Sequence, residues 1–134
     1  MGSAVNHVRP WLAATALAAL VAPPAHAQRA DASLACRATA TAHVYDCVLT
    51  LSRGGKPLQG AGVVVGVDMP SMPLAHSVTP VTATPGAAPG EYHFRLALEM
   101  HGEWAVKLRL SGPVRDQLIL HYDFDGTRAS PVRR

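Results

Sequence analysis

Met69, Met72 and His76 fall within the nine-residue stretch "DMPSMPLAH", and Met100 is followed directly by His101. Thioethers and imidazoles together suit Cu(I), because a soft, polarisable cation in an oxidising compartment meets few free thiolates and accepts methionine sulfur instead. Pro70 and Pro73 would stiffen the first cluster and lower the ordering cost of binding. Core packing competes for the same side chains. Methionine fills irregular gaps, and Met69 continues the inward phase of Val65 and Val67, as Met100 continues that of Leu98. Pattern alone therefore favours the core for Met69 and Met100, whereas no strand phase accounts for Met72 and His76. His43, His93 and His121 fall at solvent-phase positions and read as surface histidines, and Trp104 reads first as a core residue.

Cys36 and Cys47 are the only cysteines. In an exported protein an even count points to a disulfide, and a loop this short would stabilise by about 2 to 3 kcal/mol in the chain-entropy model. The alternative is a thiolate metal pair, although the spacing is far from the two-residue gap of zinc motifs. Export itself is expected from the N-terminus. Arg9 leads into the apolar run "WLAATALAALVA", followed by Pro23, Pro24 and "AHA", the pattern of a signal peptide over residues 1–27 with cleavage before Gln28. The run is about 12 residues against about 20 needed to span a bilayer, so an uncleaved anchor is the lesser alternative. The expected location is the periplasm.

Removing 27 residues from 134 leaves 107, enough for one domain over residues 28–134 that buries roughly 60 to 70% of its unfolded surface. Without Arg9 there are 11 basic residues against 9 acidic ones, spread along the chain, so nucleic acid is not an expected partner. Catalytic motifs are missing from the sequence: there is no "GxSxG" and no "HExxH", "GGKP" lacks the spacing of a phosphate loop, and the third glycine of "GAGVVVG" comes one residue late for a dinucleotide turn. "DFDG" lacks the downstream glutamate of a calcium loop and reads as a strand-end turn. The expectation is a non-enzyme with no small-molecule substrate.

The elements that must position the donors show a period of two. "EYHFRLALEM" places Tyr92, Phe94, Leu96, Leu98 and Met100 on one face, and "EWAVKLRL" repeats the pattern through Trp104, Val106, Leu108 and Leu110. Joined by the short link "HG", the two read as a hairpin. "SGPVRD" breaks the run and "QLILHYDF" resumes it, which predicts three successive antiparallel strands. Upstream, "CVLTLS" and "AGVVVGVDM" flank "RGGKPLQG", read as a turn, and the segment around Cys36 adds another strand. "HSVTPVTAT" offers one edge strand, and the tail "GTRASPVRR" is expected to be loose. No helical stripe follows residue 27. The predicted fold is all-β, a small immunoglobulin-like antiparallel β-sandwich of about six or seven strands, with a small barrel as the alternative.

"GKPLQGAGVVVGVDMPSMPLAH" and "PGEYHFRLALEMHGEWAVKLRLSG" together resemble the YtkA-like domain, related to the periplasmic region of FixH-like proteins. The shared features are a "G-x-P-x-x-G-A" turn, a strand running into "MPxM", and a "G-x-Y" strand followed by "M-x-G-x-W" and a further strand. They cover roughly residues 45 to 111. The resemblance implies a small extracytoplasmic sandwich and a link to copper: FixH-like proteins are tied to maturation of copper-containing oxidases, and related domains occur beside heavy-metal efflux systems. By position it points to Met69, Pro70 and Met72 in the loop and to Met100, Gly102 and Trp104 beyond it, with His76 and His101 added on chemical grounds. FixH-like proteins keep a membrane helix, whereas this N-terminus reads as cleavable. Two expectations follow: a module that binds or delivers Cu(I), or a metal-free interaction module that meets a periplasmic or membrane protein partner.

Overall fold

The computed structural model describes residues 2–4, 10–11, 13–20, 29–72 and 78–133. His76, the predicted cleavage site before Gln28 and most of the charged N-terminal region lie outside the described residues. Within the apolar run, Trp11, Leu17 and Leu20 are exposed. Among the described residues, no helix is long and apolar enough to cross a membrane.

Two antiparallel sheets form the structure, as the alternation predicts. In the first, β1 (Ala30–Ala38) and β2 (Val44–Arg53) make a hairpin with Cys36 directly opposite Cys47. β2 continues to β7 (Glu91–Ala97), which is edged by β6 (Thr84–Pro85), while the two-residue β3 (Lys56–Pro57) folds back on the end of β2. The second sheet runs in the order β10 (Ala129–Pro131), β9 (Asp116–Phe124), β8 (Gly102–Ser111), β4 (Gly62–Asp68) and β5 (Val81–Thr82). Six strands of seven to ten residues carry the sandwich, and the remaining four are edge pieces of two or three.

Alternate residues fill the space between the sheets. Tyr45, Leu49 and Leu51 from β2 and Tyr92, Phe94 and Leu96 from β7 face Val63, Val65 and Val67 of β4, Trp104, Val106, Leu108 and Leu110 of β8, and Phe124 of β9. Their outward neighbours form exposed pairs such as Arg95–Asp46 at 2.7 Å and Lys107–Asp68. Such pairs contribute little to stability; the buried apolar faces dominate. Cys36 and Cys47 are bonded to each other and buried, which removes the thiolate alternative.

Three expectations need correction. β7 and β8 are not a hairpin, because β7 pairs with β2 and β6 whereas β8 pairs with β4 and β9. Residues 98–101 cross from one sheet to the other, and strict alternation is kept either way because both strands turn their apolar faces toward one core. The tail is not loose, since β10 pairs with β9 and Arg128 bridges to Arg37. The proline-rich segment yields two edge pieces instead of one: β5 joins β4 and β6 joins β7, with Ala83 buried between them.

Reducing the Cys36–Cys47 bond in unfolding experiments is expected to lower stability by about 2 to 3 kcal/mol, read as a lower urea midpoint with dithiothreitol than without it. An unchanged midpoint would mean that the crosslink restrains little in the unfolded chain. Tyr122→Phe should cost about 1 to 3 kcal/mol, because the Leu34 N–H on the otherwise open side of β1 donates to the Tyr122 hydroxyl at 3.1 Å and has its partner removed. Urea unfolding that matches the parent would show that solvent replaces the hydroxyl.

Candidate functional site

Four connections meet at one end of the sandwich: the turn 39–43 between β1 and β2, the exit from β4 at Met69–Met72, the crossover 98–101, and the turn 125–128 between β9 and β10. Backbone bonds tie them together. Leu98 N donates to His43 O at 2.8 Å and Ala38 N donates to Thr127 O at 2.8 Å. Core aromatics fix the same region from below. Trp104, fully buried, donates from Nε1 to Met100 O at 3.1 Å, and the Tyr45 hydroxyl accepts from Gly126 N at 2.8 Å.

Met69 is buried at 3% exposure. Its Cε abuts Gly102, where an added Cβ would lie 3.3 Å away. Met100, two residues before Gly102, is half-buried against the core, and His101 between them is exposed. The two methionine-bearing segments therefore converge, and His101 stands beside them. Met72 sits at the end of a tight turn, its N–H donating to Met69 O at 3.0 Å, with its side chain 37% exposed. Met69 and Met100 both pack on the core, as the inward phase anticipated.

His43 belongs to this end too, which sequence pattern did not indicate. Its ring lies against that of His101, with centroids 4.7 Å apart and planes tilted by 59°. Its backbone is left-handed, at φ 62°, an uncommon conformation for a residue other than glycine. Its Nδ1 is buried with no hydrogen-bond partner among the described residues. The His121 Nδ1 has no well-aligned hydrogen bond either, but it lies 3.4 Å from a Glu103 carboxylate oxygen. The signal that would have exposed His43 is the non-local pairing of Val44 with Ala97, which brings the residue before β2 level with the residue after β7.

The His101 ring also rests on Gly126, at φ 94°, where a Cβ would fall 2.7 Å from His101 Cε1. This turn is shaped by Asp125, as the strand-end reading of "DFDG" anticipated. The N–H groups of Arg128 and Thr127 donate to Asp125 Oδ1 at 2.9 and 2.8 Å and hold its carboxyl below the ordinary range. Chemically, the end carries the thioethers of Met69, Met72 and Met100 and an imidazole pair. Among the described residues, no group of three or more His, Cys, Asp or Glu side chains could hold a metal, so any site here depends on methionine sulfur or on two imidazoles.

Residues 26–109 match the family model described as YtkA-like. No curated protein and no solved structure matches the chain.

A carboxyl whose pKa is lowered by folding stabilises in full above its unfolded value, about 3.9, and loses that contribution as pH falls through the lower folded value. Asp125→Asn keeps an oxygen for the two N–H groups and removes the charge, so its melting temperature should fall less steeply below about pH 4 than the parent's. Asp125→Ala should melt lower at neutral pH as well. Thermal melts across the acid range check both, and an unchanged acid slope in Asp125→Asn would remove Asp125 from the pH dependence.

Proposed function

The chain belongs to the YtkA-like family, and from that premise we propose that it is an exported, periplasmic, non-enzymatic module that binds Cu(I) and passes it on at the end where Met69, Met72, Met100 and His101 lie. The observation that carries the reading is the convergence of Met69 on Gly102, between Met100–His101 and Trp104, from a segment more than 30 residues away in the chain. Thioether and imidazole donors match a soft monovalent ion, and the end is already ordered by the Trp104 and Tyr45 hydrogen bonds, which lowers the entropic cost of closing donors around a cation. Met69 and Met100 would provide the inner sulfurs. Met72 and His101, being exposed, would meet incoming copper first and release it by ligand exchange, and His76 is a further donor by its sequence position. The buried disulfide leaves no thiol to compete and is compatible with export.

A metal-free interaction module is the second reading. It would use the outward face of β9, where Ile119 is 52% exposed while Leu118 and Leu120 turn to the core.

Anaerobic competition for Cu(I) against a chromophoric chelator separates the two. Ascorbate keeps the copper cuprous without reducing the disulfide. The protein should withdraw one Cu(I), and the double variant Met69→Leu, Met100→Leu should bind at least about tenfold more weakly, a loss that even outer-shell substitutions can cause. If the parent protein leaves the chelator fully loaded, copper handling at this end is wrong and the outward face of β9 around Ile119 becomes the place to look.

A further inference from the structure

His43 has no role in the copper reading above, which uses His101 without its ring partner. A buried imidazole nitrogen without a partner is costly, and in a native structure it calls for a bound water, an ion or a functional reason. His43 also keeps a left-handed backbone at φ 62°, a strained choice for histidine. Both features are maintained by contacts on several sides: Leu98 N donates to His43 O, the His101 ring faces His43 at 4.7 Å, and Gly126 leaves room for His101 where any side chain would collide.

Imidazole is a borderline donor that suits Cu(II) and Zn(II), and among divalent first-row ions Cu(II) binds nitrogen sites most tightly. Metal–imidazole bonds are about 2.0 to 2.1 Å for zinc, so two rings whose centroids are 4.7 Å apart can turn a nitrogen each toward one ion. We propose that His43 and His101 form a divalent-cation position, with Cu(II) as its preferred occupant, beside the thioether donors. The choice of copper rests on the reading above, whereas the residues and their geometry do not. The same end then offers sulfur to the cuprous ion and nitrogen to the cupric one, with His101 common to both sets.

The test is a Cu(II) titration of the purified protein followed by electron paramagnetic resonance, where ligation by imidazole gives nitrogen hyperfine structure. The parent should take up one Cu(II) with that signature. His43→Asn, chosen because asparagine accepts left-handed backbone, and His101→Gln should each weaken binding at least about tenfold, the scale seen even for outer-shell losses. The remote variant His93→Gln should keep it, and near-ultraviolet circular dichroism identifies any variant that has lost its fold. Parent-like affinity and hyperfine structure in His43→Asn would overturn the proposal, as would loss of the signal in His93→Gln. Cu(II) bound through the pair by a protein that fails the Cu(I) competition would remove the thioether reading and leave the pair standing. Cu(I) capture without Cu(II) uptake would do the reverse.

Discussion

A phenol hydroxyl taken into an apolar core must find a hydrogen-bond partner, and three buried tyrosines do so across the gap between the sheets. Tyr45 of the first sheet accepts from Gly126 N, beyond the end of β9 in the second. Tyr122 of the second sheet accepts from Leu34 N on β1 in the first. Tyr92 donates to Leu58 O and accepts from Ala61 N, both on the link that carries the chain from β3 to β4. Apolar burial is non-directional and would tolerate some sliding of one sheet over the other. These bonds do not tolerate it, because a slide leaves a buried donor or acceptor unmatched. The tyrosines thus convert a general attraction into one alignment, and Tyr45, further held by its edge-on contact with Phe124 at 5.0 Å, transmits that alignment to the end where the donors gather.

The apolar faces of this sandwich were legible because alternation is a local property. Tyr92, Phe94, Leu96 and Leu98 are buried while His93, Arg95, Ala97 and Glu99 are exposed, as a period of two requires. Which strands become neighbours is not local. β7 and β8 each satisfy the alternation, and a short link serves a hairpin and a crossover equally, so the hairpin reading had no contrary signal. The difference lies in hydrogen-bond partners far away in the chain: β7 pairs with residues 44–50 and β8 with residues 62–68 and 116–124. The tail was misread for a similar reason. "GTRASPVRR" has little apolar content, but Asp125 folds the turn that returns Ala129–Pro131 onto β9, so main-chain pairing orders it without a hydrophobic pattern.

The candidate site divides along the same line. Methionine and histidine at positions 69, 72, 100 and 101 stand out by residue type and spacing, and strand phase placed Met69 and Met100 inward. His43 did not stand out. Its phase points to solvent, yet the pairing of β2 with β7 puts it beside His101. A residue in a left-handed turn obeys the geometry of that turn and not the phase of the strand that follows, so periodicity carried no information about where the His43 ring would point.

Met69 is buried and Met100 half-buried against the core, so packing accounts for both side chains, and it also bears on the copper reading proposed for them. A thioether buried among apolar neighbours loses rotamer freedom when the protein folds, not when a ligand arrives, so that ordering cost falls on folding stability instead of affinity. Such a sulfur is a preorganised soft donor only if its neighbours leave it an open side. Gly102 instead packs on the Met69 methyl, where a Cβ would lie 3.3 Å from Cε, and its φ of 128° lets the crossover lie close against that buried side chain. Trp104 then fixes the crossover from beneath through Met100 O. The short pattern Met100, Gly102, Trp104 accordingly has a physical reading: a side chain half-buried against the core, the glycine on which Met69 packs, and the anchor that fixes the crossover.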